Sequence, residues 1–253
     1  MLSLLRQLRR LELHKRSRRY FLYAAGEIVL IVVGILIALQ INDWTQERTD
    51  RRLERNFLHR FSTDLDEDLR TFKQEVENER LGVEALKEAV QLIQRENVEE
   101  DIYTFNELYD EAWVYFTPQR STYEELESTG QLNLIRDEGL RLAIQKHYAF
   151  YEEMEWESQH MGTWRKSITH GFDSQTSILK YANFNRSIFP PEQRSQRDWE
   201  FINDPEDPKY LLAETATAAT GYWLGYFLDL YEDIIHRTEA LKAQIDAALV
   251  STD

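Results

Sequence analysis

The chain has no cysteine and little glycine or proline, and each scarcity excludes a class of structure. Without cysteine among the 253 residues, disulfides, thiolate metal sites and a cysteine nucleophile are excluded. Nine glycines and five prolines are few for this length, which disfavours turn-rich β architectures and low-complexity disorder. Basic residues are also in the minority, with 30 Lys and Arg against 45 Asp and Glu. The resulting formal net charge of −15 argues against nucleic acid as a partner.

The charge is unevenly distributed along the chain. Residues 1–43 hold seven basic and three acidic residues, whereas residues 44–253 hold 23 basic and 42 acidic ones. A short basic head therefore precedes a large acidic body.

An apolar run separates the head from the body. Residues 20–41 carry one formal charge, at Glu27, and as a helix they would span roughly 33 Å, close to the hydrocarbon thickness of a bilayer. The run has no polar stripe and no good cleavage site, which favours an uncleaved anchor over a buried helix or a signal peptide. Because basic residues precede the span, we expect a cytoplasmic N-terminus and a periplasmic or otherwise extracytoplasmic body, anchored in a bacterial inner membrane.

Four residues of the span fall on one helical face. Glu27, Gly34, Ala38 and Ile41 are spaced by seven, four and three residues, and Gly34 with Ala38 makes a small-xxx-small pair that admits a second helix. One interpretation is a contact with another copy or another membrane protein, with Glu27 as a protonatable group. The alternative is that Glu27 snorkels to the headgroups or pairs with a preceding arginine.

The body begins with the pattern of one long amphipathic helix. Apolar residues recur every three or four positions, in coiled-coil style, and predict a helix over residues 44–95 with a weak point at Gly82. We interpret the charged run at residues 64–68 as a solvated face. The predicted apolar stripe comprises Leu53, Phe57, Phe61, Leu65, Leu69, Phe72, Val76, Val83, Leu86, Val90 and Ile93.

Four more helices are predicted after it. They are a helix over residues 102–116 with Phe105, Leu108 and Ala112 inward, and a short helix that begins at Ser121 or Thr122. That short helix has a capping box completed by Glu124 or Glu125 and ends at Gly130. A third helix is capped by Asp137 and reaches about residue 171, and the last begins near Pro208.

These elements predict an all-α fold, in which one N-terminal transmembrane helix precedes an antiparallel bundle with a long first helix. Residues 1–19 form the cytoplasmic head, 20–43 the transmembrane helix and 44–253 the extracytoplasmic bundle. The uncharged stretch at residues 215–228 is too short for a second span, so we assign it to the core.

Two strings resemble a known family. The sequence GEIVLIVVGILIALQINDW at residues 26–44 is similar to the opening of a family of uncharacterised bacterial membrane proteins. Its second signature is similar to TPQRSTYEELESTGQLNLIRDEGLR at residues 117–141. Because that family has no assigned activity, the resemblance implies topology and not chemistry.

Catalytic signatures are lacking, and the best candidate for chemistry is a pair of carboxylate–imidazole spacings. Glu157 precedes His160 and Asp233 precedes His236 by one helical turn, which resembles half of a di-iron site in a helical bundle. Surface ion pairing explains the same spacing. The sequence predicts no cofactor.

The most economical function is a non-enzymatic interaction or scaffold module that works by oligomerisation or partner binding in the bilayer. A ligand-sensing bundle with an aromatic-lined pocket is the alternative. A metal-dependent helical-bundle enzyme is the second alternative.

Overall fold

A computed structural model describes residues 2–110 and 116–251, with side chains for Tyr23 and from Gly26 onward except Asp110. The described chain contains helices and no strand, which confirms the all-α prediction, with a long first helix followed by an antiparallel bundle. The α-helices are α1 (Leu2–Ile93), α2 (Glu99–Asp110), α3 (Ser121–Ser128), α4 (Glu138–Gln175) and α5 (Pro208–Ser251). The predicted inward position of Ala112 lies outside the described residues.

The chain divides into two compact units, Met1–Arg55 and Asn56–Asp253. The first unit consists of helix α1, and its described apolar side chains are exposed. Among the described helices, α1 alone is long and apolar enough to cross a membrane, and no part of its apolar window is buried. This composition is compatible with a membrane anchor.

The second unit is held together by antiparallel helix pairs. Residues of α1 contact α5 in reverse order: Ser62 donates to Asp246 at 2.7 Å, and Lys73 lies 2.7 Å from Glu239. Helix α4 packs on α5 in the same antiparallel sense, since the Glu157 carboxylate contacts Tyr226 and the Phe150 ring contacts Arg237. These registers fix which side chains can meet across the bundle.

Two buried clusters form the core of this unit. The larger one lies among α1, α3, α4 and α5, and the smaller one joins the end of α1 to α2 and to the segment of short 3₁₀ helices between α4 and α5. Most of the predicted apolar stripe is buried, but Leu53 is exposed, and Leu69, Val83 and Val90 are only half-buried. The largest fully buried side chains are aromatic, among them Tyr148, Tyr151, Tyr231, Phe61 and Phe72.

The predicted boundaries of helix α2 were wrong. Helix α2 (Glu99–Asp110) begins before the predicted residue 102, and Phe116, the predicted last residue, lies outside any helix, where its ring stacks on Phe72 in the larger core. Helix α1 runs through Gly82 without a break, and because a single glycine costs a helix only about 1 kcal/mol, Gly82 as its weak point stays a prediction.

Two of the predicted helix caps are confirmed, and one is wrong. Asp137 caps α4, with its side chain accepting from the backbone N–H of Leu140 at 2.9 Å. Gly130 follows α3 with φ +68°, a left-handed conformation that favours glycine. The predicted capping box of α3 does not form, since its N-cap residue is Arg120 and the Thr122 hydroxyl donates instead to Asp64 of α1.

Candidate functional site

The predicted face of the span lies on the exposed part of α1. Glu27, Gly34, Ala38 and Ile41 are all exposed, and the helical period places them on one side. A Cβ added at Gly34 would meet nothing within 4 Å. The packing of the chain therefore gives no reason for a glycine at this position, and the role of the face in association stays a prediction.

The four metal candidates each have a different environment. The Glu157 carboxylate accepts from the Tyr226 hydroxyl at 3.3 Å, and Asp233 accepts from Nε of Arg237 at 2.8 Å. The ring of His160 stacks on Trp156 with centroids 3.7 Å apart, and its Nδ1 lies 2.8 Å from the Trp156 carbonyl. His236 is exposed.

The register of α4 against α5 keeps the two histidines at different levels of the bundle. Arg237 packs on Phe150, so its neighbour His236 lies near that level, and His160 is ten residues farther along α4. Ten residues of helix correspond to roughly 15 Å. No group of three or more His, Asp or Glu that could hold a metal occurs within residues 2–110 and 116–251.

A buried carboxylate, which we did not predict, is the centre of the polar interactions in the core. Asp68 of α1 is 1% exposed, although it belongs to the run that we interpreted as solvated. Its Oδ1 accepts from the backbone N–H of Gln119 at 2.7 Å, and its Oδ2 accepts from the Tyr151 hydroxyl at 2.8 Å. We call these three residues the Asp68 network. It ties α1 to α4 and to the segment before α3.

Burial sets the protonation behaviour of this carboxyl. Loss of solvent raises the pKa of Asp68 to about 6, and the hydrogen bonds from Gln119 and Tyr151 oppose that rise by stabilising the charged form. The carboxyl therefore titrates near pH 6. Because the Asp68 side chain is buried, a substrate has no access to it. The geometry therefore fits a residue that holds helices together rather than a general base.

The segment that contains Gln119 is fixed by further polar contacts. Thr122 donates to Asp64 on α1, and the guanidinium of Arg120 contacts Glu152 and Glu155 on α4, each at 2.7 Å. Arg120 is mostly buried, with 18% of its side chain exposed, whereas its partners Glu152 and Glu155 are 60% and 36% exposed. Residues 119–122 thus hold α1 and α4 together, because they contact carboxylates on both helices.

A second buried acid lies farther along α1. Glu79 is 2% exposed, and its Oε2 has no hydrogen-bond partner in the described chain. Burial raises the pKa of Glu79 to about 8, and the nearby Glu75 carboxylate adds to the rise. Glu79 is therefore largely neutral at pH 7.

The sequence contains a signal that identifies both buried acids. Asp68 lies three residues after Leu65 and four before Phe72, and Glu79 lies three after Val76 and four before Val83. Both positions continue the apolar stripe of α1 in phase, whereas Asp66 and Glu67 do not. Periodicity, rather than residue type, separates the buried carboxylates from the solvated ones.

Comparison with known proteins gives a family and no activity. The chain matches a family of unknown function, DUF6090, over residues 27–162, a range that includes most of the apolar part of α1 and the whole Asp68 network. No curated protein matches the chain, and no solved structure matches it. Because the match covers more than half of the 253 residues, the protein belongs to this family of unknown function.

Proposed function

We propose that the protein is a single-span membrane anchor for a helical extracytoplasmic body, and that it works by self-association through the span. The basic head would lie on the cytoplasmic side and the body in the periplasm. The observation that carries the proposal is the exposed apolar surface of α1 before the second unit begins.

The size of that surface makes a bilayer its natural environment. Between Ile28 and Ile41, eleven large aliphatic side chains are 44% to 73% exposed. Fully burying such side chains is favourable by about 1.5 to 3 kcal/mol each, and because these are about half exposed, leaving all eleven in water would forgo on the order of 10 kcal/mol. Lipid acyl chains, or another helix within lipid, provide the missing apolar contact.

The Glu27 face supports association between helices. Glycine inside a helix costs about 1 kcal/mol relative to alanine, and Gly34 gains nothing from the packing of its own chain. A second helix crossing at Gly34 and Ala38 would exploit the missing side chain by close backbone approach. Glu27 on the same face would then avoid lipid by pointing toward the partner helix.

The absence of cysteine makes a direct test simple. In the full-length protein in native membranes, Ala38→Cys should form a disulfide-linked dimer on mild oxidation. The control is Leu36→Cys, which lies about 160° around the helix and should remain monomeric. A Gly34→Leu change in the Ala38→Cys background should reduce the dimer fraction several-fold by blocking close approach.

Two outcomes would contradict self-association through this face. One is equal crosslinking at positions 36 and 38, which would indicate random collision. The other is monomer alone at position 38, which would leave association with a different membrane protein as the explanation of the face.

A further inference from the structure

An open cleft of about 190 Å³ lies between α4 and α5. Each helix contributes one cation and apolar side chains to its lining, and the cleft is large enough for a small organic molecule rather than a single water. The lining residues are Ala143, Lys146, His147, Phe150, Arg237, Ala240, Leu241 and Gln244.

The charge of this cleft is opposite to that of the protein. Its lining contains two permanent cations, Lys146 and Arg237, and no carboxylate, in a chain of net charge −15. Arg237 pairs with Asp233 on its own helix and lies over the Phe150 ring at 4.2 Å, which holds the guanidinium at the cleft. Lys146 has no carboxylate within 4 Å in the described part of the chain.

A buried histidine lies at the base of the cleft. His147 is 6% exposed, and its Nε2 has no hydrogen-bond partner among the residues that the structure describes. A buried polar atom without a partner costs about 1 to 3 kcal/mol, and because Nε2 is itself shielded from solvent, a ligand oxygen recovers that cost once the ring turns toward the cleft. Burial and the charge of Arg237 lower the pKa of His147 to about 4, so the ring is neutral at pH 7 and holds one proton.

The cleft is also connected to the core. The His147 ring packs on Tyr151 with centroids 4.4 Å apart, and the Tyr151 hydroxyl donates to Asp68 of α1. A ligand that fixes the His147 ring would therefore act on the residue that joins α4 to α1.

We propose that this cleft binds a small organic carboxylate, with the carboxylate between Lys146 and Arg237, the His147 ring turned so that its Nε2 donates to a carboxylate oxygen, and the apolar body against Phe150 and Leu241. The cations select a negative charge, and the apolar side chains select a hydrocarbon body over an inorganic anion. The aromatic ring of Phe150 suits a flat body, so benzoate is the appropriate probe.

The test uses the full-length protein in detergent micelles, with ring signals of its six histidines recorded by NMR. Benzoate should shift the His147 signal saturably, with a Kd on the order of 1 mM, as expected for a ligand of this size. It should also raise the pKa of His147, because the bound negative charge favours the imidazolium. His147→Gln assigns the signal.

Matched arginine variants provide the control for charge. Arg237→Gln should weaken benzoate binding about tenfold, the value expected for loss of a hydrogen bond to a charged group. Arg70→Gln removes another exposed arginine that pairs with an acid on its own helix, Glu67, and should leave binding unchanged. Lys146→Gln repeats the test at an exposed position that carries no risk to the core.

Three results would overturn the proposal. They are equal binding of benzoate and its neutral analogue benzamide, equal weakening by Arg70→Gln and Arg237→Gln, and absence of saturation up to about ten times the expected Kd. A shift of His147 by phosphate that equals or exceeds the shift by benzoate would also overturn the assignment to an organic carboxylate.

Discussion

The hydroxyl of Tyr151 lies 2.8 Å from Oδ2 of Asp68, and this bond joins α4 to α1 in the interior of the bundle. Removing the hydroxyl by Tyr151→Phe leaves the carboxyl buried with one partner fewer. The expected loss of unfolding free energy is about 1 kcal/mol at pH 5, where the carboxyl is mostly neutral, and about 2 to 3 kcal/mol at pH 8, where it is charged. Urea unfolding of the full-length protein in detergent, followed by circular dichroism, measures both values.

The control for this variant is Tyr222→Phe. Tyr222 is exposed, so its substitution should change the free energy of unfolding by less than about 0.5 kcal/mol at either pH. An equal loss for Tyr151→Phe at the two pH values would contradict a carboxyl that titrates between them.

Glu79 should make the protein less stable as the pH rises. Its pKa is raised in the folded state from 4.5 to about 8, so between these values the folded protein holds a proton that the unfolded chain has released. The free energy of unfolding should therefore fall with increasing pH across this interval. Glu79→Gln keeps the neutral form at every pH and should raise stability at pH 8 by on the order of 4 kcal/mol, with little change at pH 4.

Glu77→Gln is the matched control, because Glu77 is exposed on the same helix and pairs with Arg80 at the surface. Its effect should be small and nearly independent of pH. A Glu79→Gln protein that is less stable than the parent at pH 8 would show that the carboxylate is charged and partnered in the folded state.

Two glycines should respond to alanine with opposite signs. Gly130 has φ +68°, where a Cβ is strained even in open space, so Gly130→Ala should lower the unfolding free energy by about 1 to 2 kcal/mol. Gly225 lies within α5, and a Cβ added there would meet nothing within 4 Å. Gly225→Ala should therefore raise the unfolding free energy by up to about 1 kcal/mol. Thermal unfolding of both variants beside the parent measures the sign of each change in stability. A change of the same sign for both variants would be inconsistent with the left-handed backbone at Gly130 and the helical backbone at Gly225.

The start of α4 depends on one carboxylate. Asp137→Ala removes the acceptor for the Leu140 N–H and should cost about 1 kcal/mol, whereas Asp137→Asn keeps a capping oxygen and should cost much less. The measurement is the urea midpoint of each variant. Equal losses would mean that the cap contributes through charge alone.

The sequence was sufficient to predict the structural elements that depend on local interactions along the chain. The spacing of Phe57, Phe61 and Leu65 predicts the buried side of α1, and Asp137 and Gly130 mark helix ends through the conformations and hydrogen bonds that those residues favour. The fold class and the long first helix follow from such patterns. The position of Phe116 outside any helix does not, because its ring is held by long-range packing against Phe72.

The Asp68 network was missed for a different reason. Residue type indicates that an aspartate in an acidic run is solvated, and the periodic position of Asp68 was the weaker signal beside the three other acids of that run. Thr122 was misassigned in the same way, since a local cap and a long-range bond to Asp64 use the same hydroxyl. Only the packing of α3 on α1 decides between these two partners.

The most direct test of the account is whether the exposed helix surface of residues 28–41 lies in a bilayer. Membranes containing the full-length protein are washed with alkaline carbonate, which releases peripheral proteins and retains spanning ones. We expect the protein to stay in the membrane pellet and a reporter fused after residue 253 to be active outside the cytoplasm. Release into the wash, or a reporter active in the cytoplasm, would contradict it.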